Sequence, residues 1–319
     1  MSAEREMGFT LAELLVAMLF GIIVLAGVYS YYVTSGRAYS IEDQLLETQG
    51  NVRAGLELLV EDIQKAGGTG IAVEAAVSVT NSSTGADSLT LMMPDSTICP
   101  STPQPISIQT YNGAAATMFL APGTACANMD KKVGMVVTAD GTNYRTIQIT
   151  QVTIANDKVN FSPGLSDKNS PGGLGADYTN GTLVLVREAT YAVDIADPSK
   201  PVLTRNLNEG AGAQPIANNI EDMQVSLGYD RDSNGILTQV GSVVNDDELV
   251  FNFAGESNTG ESAANLREVK IIVAGRTKLP DLQFQGSRPA IMDRAAGATD
   301  GYRRRVKGTR VKIRNLGPL

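Results

Sequence analysis

The chain has 319 residues, a formal charge of −8 and a pI near 4.8, an acidity that argues against a nucleic-acid binder. It contains no histidine and no tryptophan. No Ser-His-Asp or Cys-His catalytic pair can therefore form, and the commonest metal ligand is missing.

Taken in chain order, the first element is a short leader, Met1–Gly8, with one arginine and two glutamates. From Phe9 to Val33 the chain reads FTLAELLVAMLFGIIVLAGVYSYYV, with one charge, Glu13, and no proline. These 25 residues would span about 37 Å as a helix, enough to cross a bilayer with some tilt. A secretory signal needs a basic start, a shorter apolar core and a small-residue cleavage site after it. A plain membrane anchor fits the length but leaves Glu13 unexplained, since a lone carboxylate inside such a run is costly and marks a functional candidate. A cut after Gly8 would supply its partner. The new ammonium on Phe9 would lie one helical turn from Glu13, about 6 Å along the axis.

Beyond the apolar run, Ile41, Leu45, Val52, Leu56, Leu59 and Ile63 recur at steps of three, four or seven. That period predicts an amphipathic continuation of the same helix over residues 34–66. Arg53/Glu57 and Glu61/Lys65 are i,i+4 pairs on its other faces. Gly67-Gly68 is the predicted stop. The five glycines Gly21, Gly27, Gly36, Gly50 and Gly55 weaken helix propensity, and the first two are where the helix could loosen.

From residue 67 to 319 the pattern becomes short β-like runs between turn clusters. Strands are predicted at Ser88–Met93, Ile106–Tyr111, Val133–Thr138, Arg145–Ile154, Thr182–Ile195, Ile220–Tyr229, Glu248–Phe253, Arg267–Ala274 and Arg305–Arg314. Leu266–Arg276 and Gly308–Arg314 alternate apolar and polar, as strands with one wet face do. Ser162–Gly181 and Gly286–Gly301 read as loops. Cys99 and Cys126 are too far apart for a redox CxxC. In an oxidising compartment they are expected to form one structural disulfide closing a surface excursion.

Two further motifs invite chemistry. Asp230-Arg231-Asp232-Ser233-Asn234-Gly235 has the DxDxNG start of a calcium loop, with Asp230, Asp232 and Asn234 as candidate Ca²⁺ ligands and Asp246, Asp247 or Glu248 as extra ones. Position twelve is Gly241, where a bidentate glutamate belongs, and a turn between two strands explains the same residues. Near the C-terminus, Arg303, Arg304, Arg305, Lys307, Arg310, Lys312 and Arg314 cluster. The alternation of the last three with Val311 and Ile313 suits the solvent face of a strand and acidic residues on a neighbouring subunit better than DNA.

The stretch Gly8-Phe9-Thr10-Leu11-Ala12-Glu13-Leu14-Leu15, followed by its long apolar run, resembles the type IV prepilin signal. The resemblance implies that a prepilin peptidase cuts between Gly8 and Phe9 and N-methylates Phe9, and that Glu13 docks the subunit into a helical fibre. The leader here is not net basic as prepilin leaders usually are. The charge rule therefore leaves orientation open, and a cytoplasmic N-terminus with a periplasmic C-terminal domain rests on the resemblance.

Leu46–Gly70, Ala217–Gly235, Arg267–Asp281 and the terminal RRRVKGTRVKIRNLG are similar to PilW-type minor pilins, relatives of the J-type pseudopilins of type II secretion. Ile71–Thr204 is the least family-like part. The family implies an α+β, pilin-like fold, in which a long N-terminal helix packs on a C-terminal antiparallel β-sheet domain. It implies no catalysis and no cofactor. The implied partners are the prepilin peptidase, other minor pilins, the major pilin and an inner-membrane assembly platform. A J-type pseudopilin, an anchored envelope enzyme and an adhesin remain as alternatives.

Overall fold

The structure is a computed structural model that describes residues 10–68, 70–162, 168–169, 173–207, 212–232, 234, 237, 248–253 and 255–314. The chain forms two compact units, Met1–Glu47 and Thr48–Leu319. A single helix, α1, runs from Leu11 to Lys65 and is unbroken through Gly21 and Gly27. It ends where Gly67 takes a φ of 76°, the left-handed conformation that glycine adopts without a Cβ clash. The Gly67 N–H donates to the Met92 carbonyl at 2.8 Å. In the first unit every residue from 10 to 34 is exposed.

The second unit is β-rich and α+β overall, with all its strand pairs antiparallel. After a short helix α2 (Val73–Ala76) come β1 (Val77–Thr80), β2 (Ser88–Pro94), β3 (Ile106–Asn112), β4 (Thr117–Leu120), β5 (Val133–Val137) and β6 (Tyr144–Gln148). Next are β7 (Gln151–Thr153), β8 (Lys158–Asn160), β9 (Thr182–Asp194), β10 (Val202–Asn206), β11 (Ala213–Asn218) and β12 (Ile220–Tyr229). The chain closes with β13 (Glu248–Val250), β14 (Leu266–Arg276), β15 (Gly286–Ser287), β16 (Thr299–Asp300) and β17 (Arg304–Lys312).

Strand β9 organises the larger sheet. Its 13 residues pair with β2, β3, β5 and β10. It separates two apolar cores, which is why its sequence runs Leu-Val-Leu-Val without alternation. Val184, Val186 and Tyr191 face the first core, and Leu183 and Leu185 the second. In the first core Val52, Leu56, Leu59 and Ile63 of α1 are buried against residues of β12, β14 and β9. Two glycines let the layers close up. A Cβ on Gly55 would lie 2.9 Å from Leu203, and one on Gly275 would lie 2.6 Å from Val52.

The second core lies between residues 98 and 185. It holds Ile106, Ile108, Met118, Phe161 and Tyr178. Cys99 and Cys126 are joined by a disulfide with a Cα–Cα distance of 6.1 Å. The disulfide forms as expected, but Cys99 is 2% exposed inside this core, so the stretch it closes carries part of a core and is not a mere surface excursion. Closing a 27-residue loop contributes about 3 kcal/mol in the chain-entropy account.

Asp62 of α1, next to Ile63 of the apolar stripe, is 3% exposed. It accepts a hydrogen bond from the Tyr191 hydroxyl at 2.5 Å and pairs with Arg205 at 2.6 Å, the compensation that a buried carboxylate requires.

The smaller sheet has the order β13-β12-β14-β17. Along β12, Met223, Val225 and Leu227 enter the first core, while Asp222, Gln224 and Ser226 point to the other face. Those three are fully buried as well, because that face carries the loops around Asp87 and Arg288.

Asp87 accepts hydrogen bonds from the N–H groups of Ser82 and Val225, each at 2.8 Å. Burial pushes its carboxyl up to about 6 from the usual 3.8, the two N–H groups pull it down, and Asp293 and Asp222 raise it further. The folded protein thus holds this proton more tightly than the unfolded chain does. The resulting stability is fully present below about pH 3.8 and is lost as pH rises through about 6. Urea unfolding should therefore need less denaturant at neutral pH than at a mildly acidic pH just below 6. Asp87→Asn should flatten that dependence, and an unchanged slope in the variant would refute the assignment.

Candidate assembly site at the start of the helix

Glu13 sits in the first turn of α1 and closes a reciprocal box with Thr10. The Thr10 backbone N–H donates to Glu13 Oε2 at 2.9 Å, and the Thr10 hydroxyl donates to the same oxygen at 3.0 Å. In return the Glu13 N–H donates to Thr10 Oγ1 at 3.3 Å. Thr10 is the N-cap and Glu13 the third helical residue, so the pair forms a capping box that satisfies N–H groups the helix cannot. The signal was present as Thr-x-x-Glu ahead of an apolar run, and reading Glu13 for charge alone passed over it.

Around this box the chemistry is apolar. Leu11, Leu14, Leu15, Phe20, Ile22 and Leu25 are among the side chains exposed by more than half. The helix is long and apolar enough to cross a membrane. A surface of this extent needs cover, from lipid or from other helices. Gly8 and Phe9, the expected cleavage and methylation positions, lie outside the described residues.

The other sequence-predicted site residues fall elsewhere. Asp230 is 1% exposed and faces Arg267, 3.4 Å away. Asp232 instead accepts from the N–H and side-chain amide of Asn234, at 3.0 and 2.6 Å. This is the local turn bonding of Asp and Asn. No metal-holding group of Asp, Glu, Cys or His forms among the described residues. Asp246 and Asp247 lie outside the described residues.

The basic cluster is divided. Arg303 pairs with Asp281 at 3.0 Å, Arg304 with Glu221 and Asp300 at 2.5 Å each, and Arg310 with Glu268 at 3.4 Å. Arg305, Lys307, Lys312 and Arg314 are exposed. The alternation holds, with Val311 and Ile313 buried. β17 is the free edge of its sheet, where charge discourages unwanted strand pairing.

The chain matches no family model and no curated protein. Among solved structures it is similar to a type IV-like pilin from Thermus thermophilus. The identity is 11% and the TM-score 0.35, over 85% of this chain and 98% of that one.

Proposed function

We propose that the chain is a PilW-type minor pilin that helps to start or tip a type IV pilus. Cleavage between Gly8 and Phe9 by a prepilin peptidase and N-methylation of Phe9 would release it for assembly. Glu13 carries this reading. It is the sole charge in the run from Phe9 to Val33, and its carboxylate is bonded to Thr10 at the foot of a helix whose residues 10–34 are all exposed.

Before assembly, lipid would cover that helix in a single-pass inner-membrane anchor, with the β-rich unit in the periplasm. After assembly, the helices of other minor pilins and of the major pilin would cover it. The Phe9 ammonium of one subunit would then meet a Glu13 carboxylate and set the axial register. The protein's work is packing, not catalysis.

The same residues support a J-type pseudopilin, in which a short periplasmic fibre drives secretion. A clean deletion scored side by side for surface pili and for secreted enzymes separates the two. The expected result is loss of pili with secretion intact. Loss of secretion with pili intact would place the subunit in the secretion machine and refute the pilus reading.

A further inference from the structure

A cleft of about 680 Å³ opens between the last turns of α1, the end of β2 and strands β9 and β10. Arg187, Arg205 and Arg314 line it, with Leu58, Met93 and Pro94 as an apolar floor. Two of the guanidinium groups are held from behind. Arg187 Nη2 lies 2.8 Å from Asp95. Arg205 Nη2 lies 2.6 Å from Asp62, and its guanidinium sits over the Tyr191 ring at 5.9 Å. Asp95 is itself fixed by the N–H and hydroxyl of Thr97, at 3.0 and 2.5 Å. These arginines are thus positioned before any ligand arrives, and ordering them adds little to the cost of binding.

Each of these carboxylates takes only the Nη2 end of its fork. The Nε–H of both Arg187 and Arg205 is buried without an acceptor among the described residues. A buried donor left unmade costs about 1–3 kcal/mol, and folded proteins retain few of them. Arg314 at the rim is exposed. The lining includes Glu61, Asp62 and Asp95 against Lys65 and the three arginines, so Arg314 leaves one positive charge in surplus. Glu61 is already engaged with Lys65 at 2.5 Å. The volume is within the usual range for ligand pockets, about 300–1,000 Å³, and far exceeds what one water needs.

We propose that this cleft binds an oxyanion across Arg187, Arg205 and Arg314. Guanidinium forks match the planar oxygen pairs of carboxylates and the oxygens of phosphate. A single surplus charge and an apolar floor suit one carboxylate on a short apolar stem, such as a glutamyl side chain of a neighbouring chain, or a free small anion. The site lies within the second unit and does not depend on the pilus reading.

The test uses the full chain in detergent, titrated calorimetrically with a blocked Ala-Glu-Ala tripeptide and, separately, with inorganic phosphate. Saturable binding of either is expected, weakened about tenfold by Arg187→Gln, the equivalent of ~1.4 kcal/mol. Arg314→Gln, on an exposed side chain, should weaken it too while leaving the fold intact. Lys307→Gln, on β17, serves as the control for bulk charge and should change nothing. Peptide binding would identify a partner's carboxylate as the source, and binding of phosphate alone a free anion. No saturable binding of either probe, or binding by the Arg187→Gln and Arg314→Gln variants as tight as that of the parent chain, would overturn the proposal.

Discussion

Asp222→Ala should destabilise the β-rich unit by about 3–5 kcal/mol, the cost of breaking a buried ion pair from one side. Asp222 is 0% exposed. Its Oδ2 lies 3.0 Å from Arg288 Nη1 and its Oδ1 2.5 Å from Arg294 Nη1, and Gln224 donates to Oδ1 at 2.9 Å. The two arginines come from the segment between β15 and β16, which closes over the polar face of β12. Arg288 is further held by donating to the carbonyls of Pro289 and Ala295, at 3.1 and 2.5 Å. Burial lowers its pKa, and Asp222 is the larger of the two charges, with Glu221, that oppose the drop. Alanine would leave two guanidinium groups under the loop without the carboxylate they share. Against a total stability of about 5–15 kcal/mol for a typical domain, that is a large share.

Urea unfolding of the full chain in detergent reads the loss, and hydrogen exchange of residues 286–297 shows whether this segment lifts first. A triple variant, Asp222→Leu with Arg288→Met and Arg294→Met, should recover most of the stability, because apolar replacement of a whole buried ion cluster is often neutral. If the triple variant is as weak as Asp222→Ala, the loss arises from packing and the electrostatic account is wrong.

The Asp222 cluster also shows where the sequence stops being legible. β12 was readable to its end residues, Ile220 and Tyr229, because Met223, Val225 and Leu227 alternate with polar residues. Such alternation ordinarily puts the polar residues, here Asp222, Gln224 and Ser226, in water. They are buried instead, under arginines 66 and 72 residues further on (Arg288 and Arg294), and no local pattern encodes that distance. β9 was legible for a different reason, since a long apolar run bounded by turns reads as a strand buried on both faces.

β1, β4, β8, β10 and β11 were missed, as were the two-residue strands β15 and β16 inside the stretch read as a loop, Gly286–Gly301. They have two to six residues, and β11 carries Pro215, which argues against a strand unless it lies at an edge. β11 is such an edge, pairing only with β10 among the described strands. The predicted run Arg145–Ile154 breaks into β6 and β7 at Ile149-Thr150. At the candidate site, the apolar run and its single charge were visible, and the partner of that charge within the chain was passed over.

That partner makes Glu13 separable into two roles. Glu13→Gln keeps an oxygen acceptor at the third helical position, and glutamine serves a capping box as glutamate does. Glu13→Val removes both the acceptor and the charge. Loss of a helix cap costs about 0.5–2 kcal/mol, whereas a carboxylate held at the centre of a bilayer costs about 2.5–3.5 kcal/mol. Near the helix start the burial cost is smaller, so capping and charge are comparable and only the two variants side by side can rank them.

If docking to the Phe9 ammonium governs Glu13, both variants should be cut at Gly8 normally, yet enter the fibre at least about tenfold less than the parent chain, a deficit of ~1.4 kcal/mol or more. Mass spectrometry of the membrane fraction reads the cleavage, and immunoblots of sheared fibres read the incorporation. Should Glu13→Gln incorporate like the parent while Glu13→Val fails, the residue serves the helix start and not the neighbouring subunit. The axial register would then have to be set by packing of the apolar helices alone.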